Sequence, residues 1–230
     1  MSRKQKGVKM PNLVIFGAGK IAKVMYCFLK KQNNIVAFTV DRSAMDEATL
    51  FGIPVIPFDE IQDHFPAEKN NMIIALGYQK MNKLREKKYE EAKDKGYEFI
   101  NYIHPSVEWH DSIEIGENNI ILDHVSIQPF VKIGNSNYIW SNAVVAHECT
   151  VEDNCWITSG VTIAGSTTIK SYAFLGVNAT IGHRITIERE NFIGAHTLIS
   201  KNTKEKEVYV SRDGEKFKLD SERFQQFVSL

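Results

Sequence analysis

Hydrophobic and polar positions follow two rhythms along this chain, and the change falls near residue 104. In the first hundred residues, short apolar runs alternate with amphipathic stretches. "NLVIFGAG" is an apolar run that ends in glycines. "KIAKVMYCFLKKQ" follows, with Ile21, Val24, Met25, Phe28 and Leu29 at helical spacing. "IVAFTVD" reads as a second strand that stops at Asp41, and "MIIALG" as a third. "NKLREKKYEEAKDKG" is a charged helix closed by Gly96. Strand–helix–strand, then strand–helix, predicts a small Rossmann-like parallel sheet with flanking helices.

From residue 115 the period becomes six. Ile115, Ile121, Ile127, Ile133, Ile139, Val145, Val151, Ile157, Ile163, Ile169, Leu175, Ile181, Ile187, Ile193 and Ile199 are all aliphatic. The residue four places after each is often small or branched, as at Ala143, Cys149, Cys155, Ala173 and Ala179. Six is neither a helical period nor the length of one alternating strand. It fits a short strand plus a bend, with three such sides closing an 18-residue triangular coil and the aliphatic residue of each side pointing inward. The fifteen hexads predict a parallel β-helix of about five coils. The pattern fades in "KNTKEKE", and "SERFQQFVSL" reads as a short amphipathic helix capped by Ser221. The expected domains are thus 1–103, 104–203 and a tail at 204–230.

Composition narrows the function classes. The formal net charge is zero, so no field gathers nucleic acid or an anionic membrane. The basic start "MSRKQKGVKM" precedes an apolar run of only four residues, "LVIF", too short for a signal peptide or a membrane span. Cys27, Cys149 and Cys155 have no metal-like spacing, and we expect reduced thiols in a soluble, cytoplasmic protein.

A β-helix interior is filled with aliphatic side chains, so chemistry belongs on its corners and outer faces. "VVAHECTVED" puts His147 and Glu148 between the inward positions Val145 and Val151. The pair is either polar surface at a bend or a general base with a carboxylate that orients it. Cys149 falls on the small inward position and reads as packing. "GAGKIA" follows a strand and opens a helix, which suits a phosphate or ribose near Gly17, Gly19 and Lys20. Asp41, at the end of the second strand, has the position from which a carboxylate reaches a ribose. Gly77 and Tyr78 follow the third strand and are expected in the same cleft, with Tyr78 stacking on a base.

From "HPS" (His104–Ser106) to about Asn202 the chain resembles the bacterial hexapeptide-repeat sugar acyltransferases. "LVIFGAGKIAKVM", "FTVD", "IALG" and "INYIHPS" resemble the nucleotide-sugar-binding domain of one subgroup. That subgroup comprises the N-acetyltransferases of nucleotide-linked amino sugars and the related sialic-acid O-acetyltransferases. The resemblance implies a left-handed β-helix and a homotrimer. It also implies acetyl-CoA as cosubstrate between neighbouring prisms, no metal, and a role in bacterial surface glycan or lipopolysaccharide synthesis. It makes His147 the base and Glu148 its orienting partner. It assigns a backbone N–H near Gly165 in "TIAGS" to the thioester carbonyl, and places His183, Arg184 and Ala195 along the acyl-CoA. The chain departs from the pattern in two places. Trp156 stands where a second histidine is usual, and is expected to stack on the sugar or wall the pocket. "VYVSRDGEKFKLD" replaces the usual end beside CoA.

The expected function is acetyl-CoA-dependent N-acetylation of a dTDP- or UDP-linked amino-deoxy sugar. O-acetylation of a sugar hydroxyl and a non-catalytic β-helix scaffold remain as alternatives. A zinc-dependent β-helix enzyme is disfavoured, because no two histidines lie five or fewer residues apart. An NAD-dependent enzyme is disfavoured by the short N-terminal unit.

Overall fold

A computed structural model describes residues 10–228. Most of the basic N-terminal stretch, and the last two residues of the expected C-terminal helix, lie outside them. The N-terminal domain runs β1 (Asn12–Phe16), α1 (Lys20–Leu29), β2 (Asn34–Val40), β3 (Thr49–Leu50), β4 (Ile53–Pro57), α2 (Ile61–His64), β5 (Asn71–Ile74) and α3 (Lys83–Asp94). Its sheet has the order β3-β4-β2-β1-β5, parallel except for the β3–β4 hairpin. β1 is flanked by β2 and β5 and Leu13–Phe16 are buried, which is why this stretch is continuously apolar. The sequence did not announce β3 and β4. β4 contains Pro54 and Pro57, which cannot donate to a ladder and argue against a strand.

The rest of the chain forms a left-handed parallel β-helix with three sides. Side one stacks Glu114–Ile115, Lys132–Ile133, Thr150–Val151, Thr168–Ile169 and Thr186–Ile187. Side two stacks Tyr102–Ile103, Ile120–Ile121, Tyr138–Ile139, Trp156–Ile157, Phe174–Leu175, Phe192–Ile193 and Val208–Tyr209. Side three stacks Ser126–Ile127, Val144–Val145, Thr162–Ile163, Thr180–Ile181 and Leu198–Ile199. The pairing register is 18 residues throughout this hexad region. The second residue of each pair from Ile121 to Ile199 is buried in one core with Cys149 and Cys155. The ladder begins at Tyr102 and ends at Tyr209, a little beyond 104–203 at each end.

Every corner from Asn118 to His196 turns through a left-handed residue. One column of corners holds Phe130, Glu148, Ser166 and Arg184; another holds His124, Asn142, Gly160, Asn178 and His196. Asn, His and Gly tolerate positive φ, so the second column is cheap in backbone terms. A final helix, α4, spans Ser221–Val228. Its cap is Asp220 and not the expected Ser221: the Asp220 carboxylate accepts the Arg223 N–H at 2.9 Å.

The N-terminal domain docks on side two. Tyr102, Ile120, Tyr138, Trp156 and Phe174 form an outward column that shares a core with Leu13, Ile15 and Phe38. The Tyr138 hydroxyl donates to the Ile74 carbonyl at 2.9 Å, and the Ile74 N–H donates to Asn118 Oδ1 at 2.9 Å. The fully buried Arg85 of α3 lies 4.8 Å from the Tyr138 ring centroid and 5.4 Å from that of Trp156. Burial pulls its pKa down to about 10.

Candidate active site

His147 and Glu148 occupy the two turn positions between sides three and one. Both are open: their side chains are 54% and 61% exposed. His147 Nδ1 lies 3.5 Å from Glu148 Oε2, within ion-pair range but longer than a hydrogen bond. The His147 N–H donates to Gln128 Oε1 at 2.9 Å, one coil earlier.

One coil later sits Gly165, and the imidazole lies over it. A Cβ built on Gly165 would be 2.7 Å from both Cε1 and Nε2 of His147. Glycine is therefore required for the ring to rest there. The Gly165 carbonyl accepts the Arg184 N–H at 3.1 Å, while its own N–H makes no bond within the described chain. The corner thus pairs an imidazole nitrogen lying over Gly165, a carboxylate near the other ring nitrogen, and an unpaired backbone donor beneath. That set can take a proton from a nucleophile and stabilise an oxyanion.

His183 and Arg184 repeat the same corner two coils beyond His147. Ala195 does not join them. It lies between sides two and three, where the Ser211 hydroxyl donates to its carbonyl at 2.8 Å. A half-open depression there is lined by Gly194, Ala195, His196, Val210 and Arg212.

The N-terminal domain holds a separate cavity of about 320 Å³, lined by Gly17, Ala18, Gly19, Lys23, Asp41, Asp46, Glu47 and Lys88 among others. Gly17 has φ +121°, and a Cβ there would meet the Ala75 carbonyl oxygen at 2.7 Å, so only glycine fits. Gly19 precedes α1 and leaves open space in front of its Cα. Asp41 Oδ1 accepts from Lys88 Nζ at 2.6 Å, and Lys88 also pairs with Glu91. Burial alone would lower the Lys88 pKa, but the two carboxylates outweigh it and raise it.

Three expectations about this cleft need correction. Lys20 begins α1 and does not line the cavity; Lys23, one turn on, does. Gly77 and Tyr78 lie outside it too. Tyr78, half exposed, leans on Phe174 and Trp156 with ring centroids 4.7 and 5.5 Å away. Trp156 is only 3% exposed and stacks on Tyr138 at 4.5 Å. Its indole holds the domains together and walls no open pocket. The reason is register: Trp156 faces outward on side two, while His147 stands on the corner opposite that side.

Cys149 and Cys155 point inward, and burial raises both thiols, Cys155 to about 12. Among the described residues no group of His, Cys, Asp or Glu is arranged to hold a metal ion. No helix among them is long and apolar enough to cross a membrane.

With this geometry in hand, comparison with known proteins is direct. Residues 12–92 match the PglD N-terminal domain, and residues 112–147 and 131–165 match the bacterial transferase hexapeptide family (six repeats). No curated protein matches the chain significantly. Perosamine N-acetyltransferase from Caulobacter crescentus, solved as a histidine-to-asparagine variant with CoA and GDP-perosamine, is 26% identical. It superposes with a TM-score of 0.78 over 86% of this chain and 93% of that one. PerB from the same organism, also with CoA and GDP-perosamine, is 26% identical, with a TM-score of 0.75 over 87% and 92%. The acetyltransferase domain of PglB from Neisseria gonorrhoeae FA1090 shares the fold at 22% identity, with a TM-score of 0.76 over 86% and 95%. The chain therefore joins a domain matched by the PglD N-terminal family to one matched by the bacterial transferase hexapeptide family.

Proposed function

We propose that the protein is an acetyl-CoA-dependent N-acetyltransferase acting on a nucleotide-linked amino-deoxy sugar, working in the cytoplasm towards bacterial surface glycans. The observation that carries this reading is the His147 ring held over Gly165 with Glu148 at its other nitrogen. The Caulobacter enzyme that shares the fold, PerB, is solved with CoA and GDP-perosamine, which supports the substrate class.

Transfer is direct. The sugar amine attacks the thioester carbonyl carbon, a C–N bond forms, and the carbonyl oxygen takes negative charge. The Gly165 N–H donates to that oxygen. His147 Nε2 accepts the amine proton, and Glu148 stabilises the resulting imidazolium. Collapse breaks the C–S bond, and His147 returns the proton to the thiolate as CoA leaves. His183 and Arg184 extend the same corner along the prism, in line with a contact to the CoA arm. The nucleotide sits in the cavity of Gly17, Gly19 and Asp41.

That cavity and His147 are on opposite sides of one chain, because the N-terminal domain covers side two. A second copy must bring its nucleotide domain to this corner, which supports a homotrimer.

The test is CoA-thiol release from acetyl-CoA, offered UDP-, dTDP- and GDP-linked amino sugars. We expect release with at least one amine, unaffected by chelator and lost in His147→Ala by about a hundredfold or more. Release that requires a hydroxyl and ignores the amine would replace this reading with O-acetylation. No release with any sugar would leave the scaffold reading.

A further inference from the structure

We propose that Ser166 is a positioning residue of this site: its hydroxyl holds the Glu148 carboxylate, and Glu148 in turn orients His147. The inference rests on His147 acting as the base. Ser166 Oγ donates to Glu148 Oε2 at 3.0 Å, and that same oxygen faces His147 Nδ1. The Ser166 N–H also donates to the His147 carbonyl at 2.9 Å, so one residue grips both partners from the next coil. Among the described residues no other group donates a hydrogen bond to the Glu148 carboxylate. A glutamate this exposed samples several rotamers unless something pins it.

Backbone preference makes the choice of serine informative. Ser166 has φ +57°, where glycine or asparagine is more stable. The neighbouring corner column uses His, Asn and Gly at every such position: His124, Asn142, Gly160, Asn178 and His196. The column that carries the site uses none of these: it holds Phe130, Glu148, Ser166 and Arg184, while the third column mixes Asn118 and Asn154 with Ser136, Tyr172 and Glu190. The coil geometry imposes a left-handed residue at each of these corners, so what is particular to each is what its side chain does. For Ser166 that is the hydrogen bond to Glu148. The chain of contacts then sets the tautomer: the hydroxyl fixes the carboxylate, the carboxylate favours the proton on Nδ1, and Nε2 is left free to accept.

The decisive variant is Ser166→Gly, which suits the backbone better and removes the hydroxymethyl group with its hydrogen bond to Glu148. A purely structural serine predicts unchanged or improved Tm with unchanged kinetics. The positioning role predicts unchanged or higher Tm with kcat lowered about tenfold, the rate equivalent of one hydrogen bond to a charged group, and KM for both substrates little changed. In a Glu148→Gln background the same change should cost almost nothing further, because both act through one contact. Independently of turnover, the ¹⁵N spectrum of the His147 imidazole should report a predominantly Nδ1–H ring in the parent protein and a tautomer mixture in Ser166→Gly. Unchanged kcat, an undiminished loss in the Glu148→Gln background, or an unchanged tautomer would each overturn the proposal. Absence of turnover in the parent protein would instead refute the acyltransfer reading, while the imidazole spectrum still decides the role of Ser166.

Discussion

At the scale of single residues, the account turns on a glycine beneath a histidine. A methyl group at residue 165 would overlap His147 Nε2 and Cε1. The imidazole is exposed, so it can swing aside without disturbing the core. Gly165→Ala should therefore fold with unchanged Tm and lose about a hundredfold in kcat, as expected when a catalytic group is displaced by about 1 Å. Steady-state kinetics beside a thermal melt check this; retained kcat would show that the ring does not act from that position. His147 and Glu148 were visible in the sequence as polar neighbours between two inward valines. Gly165 came from the resemblance to the hexapeptide acyltransferases, by its place one coil after His147. Ser166 and Gln128 were not visible, because their contacts cross coils and depend on corner geometry. Lys23 was missed in favour of Lys20, since the cavity takes the face of α1 one turn further on.

At the scale of elements, the hexad count located the inward ladder but ignored the residue before each inward one. On side two that residue is Tyr138, Trp156, Phe174 and Phe192, at intervals of 18. This column builds the domain interface, and the period alone does not say which of three sides the other domain will cover. Trp156 was consequently expected in the sugar pocket, where the family's second histidine would be. Trp156→Ala should cost about 3–5 kcal/mol of stability, the usual loss for a buried tryptophan, while leaving the His147 corner in place. Chemical denaturation measures it. A near-neutral change would mean that the indole is not packed between the domains. β3 and β4 escaped for other reasons: β3 is only two residues long, and Pro54 and Pro57 hide the strand character of β4, which sits between β3 and β2.

At the scale of the whole molecule, the proposed site has two parts on opposite sides of each chain, the cavity of the N-terminal domain and the His147 corner. The order of the two domains was legible from the change of period, but which side they met on was not. The separation leads to the most direct test. Gly19→Phe puts a ring into the cavity that Gly19 lines, and its Cβ is accommodated, since nothing lies within 4 Å of a Cβ there. His147→Ala removes the base. Each variant alone should be inactive. Co-expressed in equal amounts, random mixing gives a site with an intact cavity from one chain and an intact His147 from its neighbour in about a quarter of cases. The account predicts CoA-thiol release at about a quarter of the rate of the parent protein. No recovery above the single variants would contradict a site shared between copies.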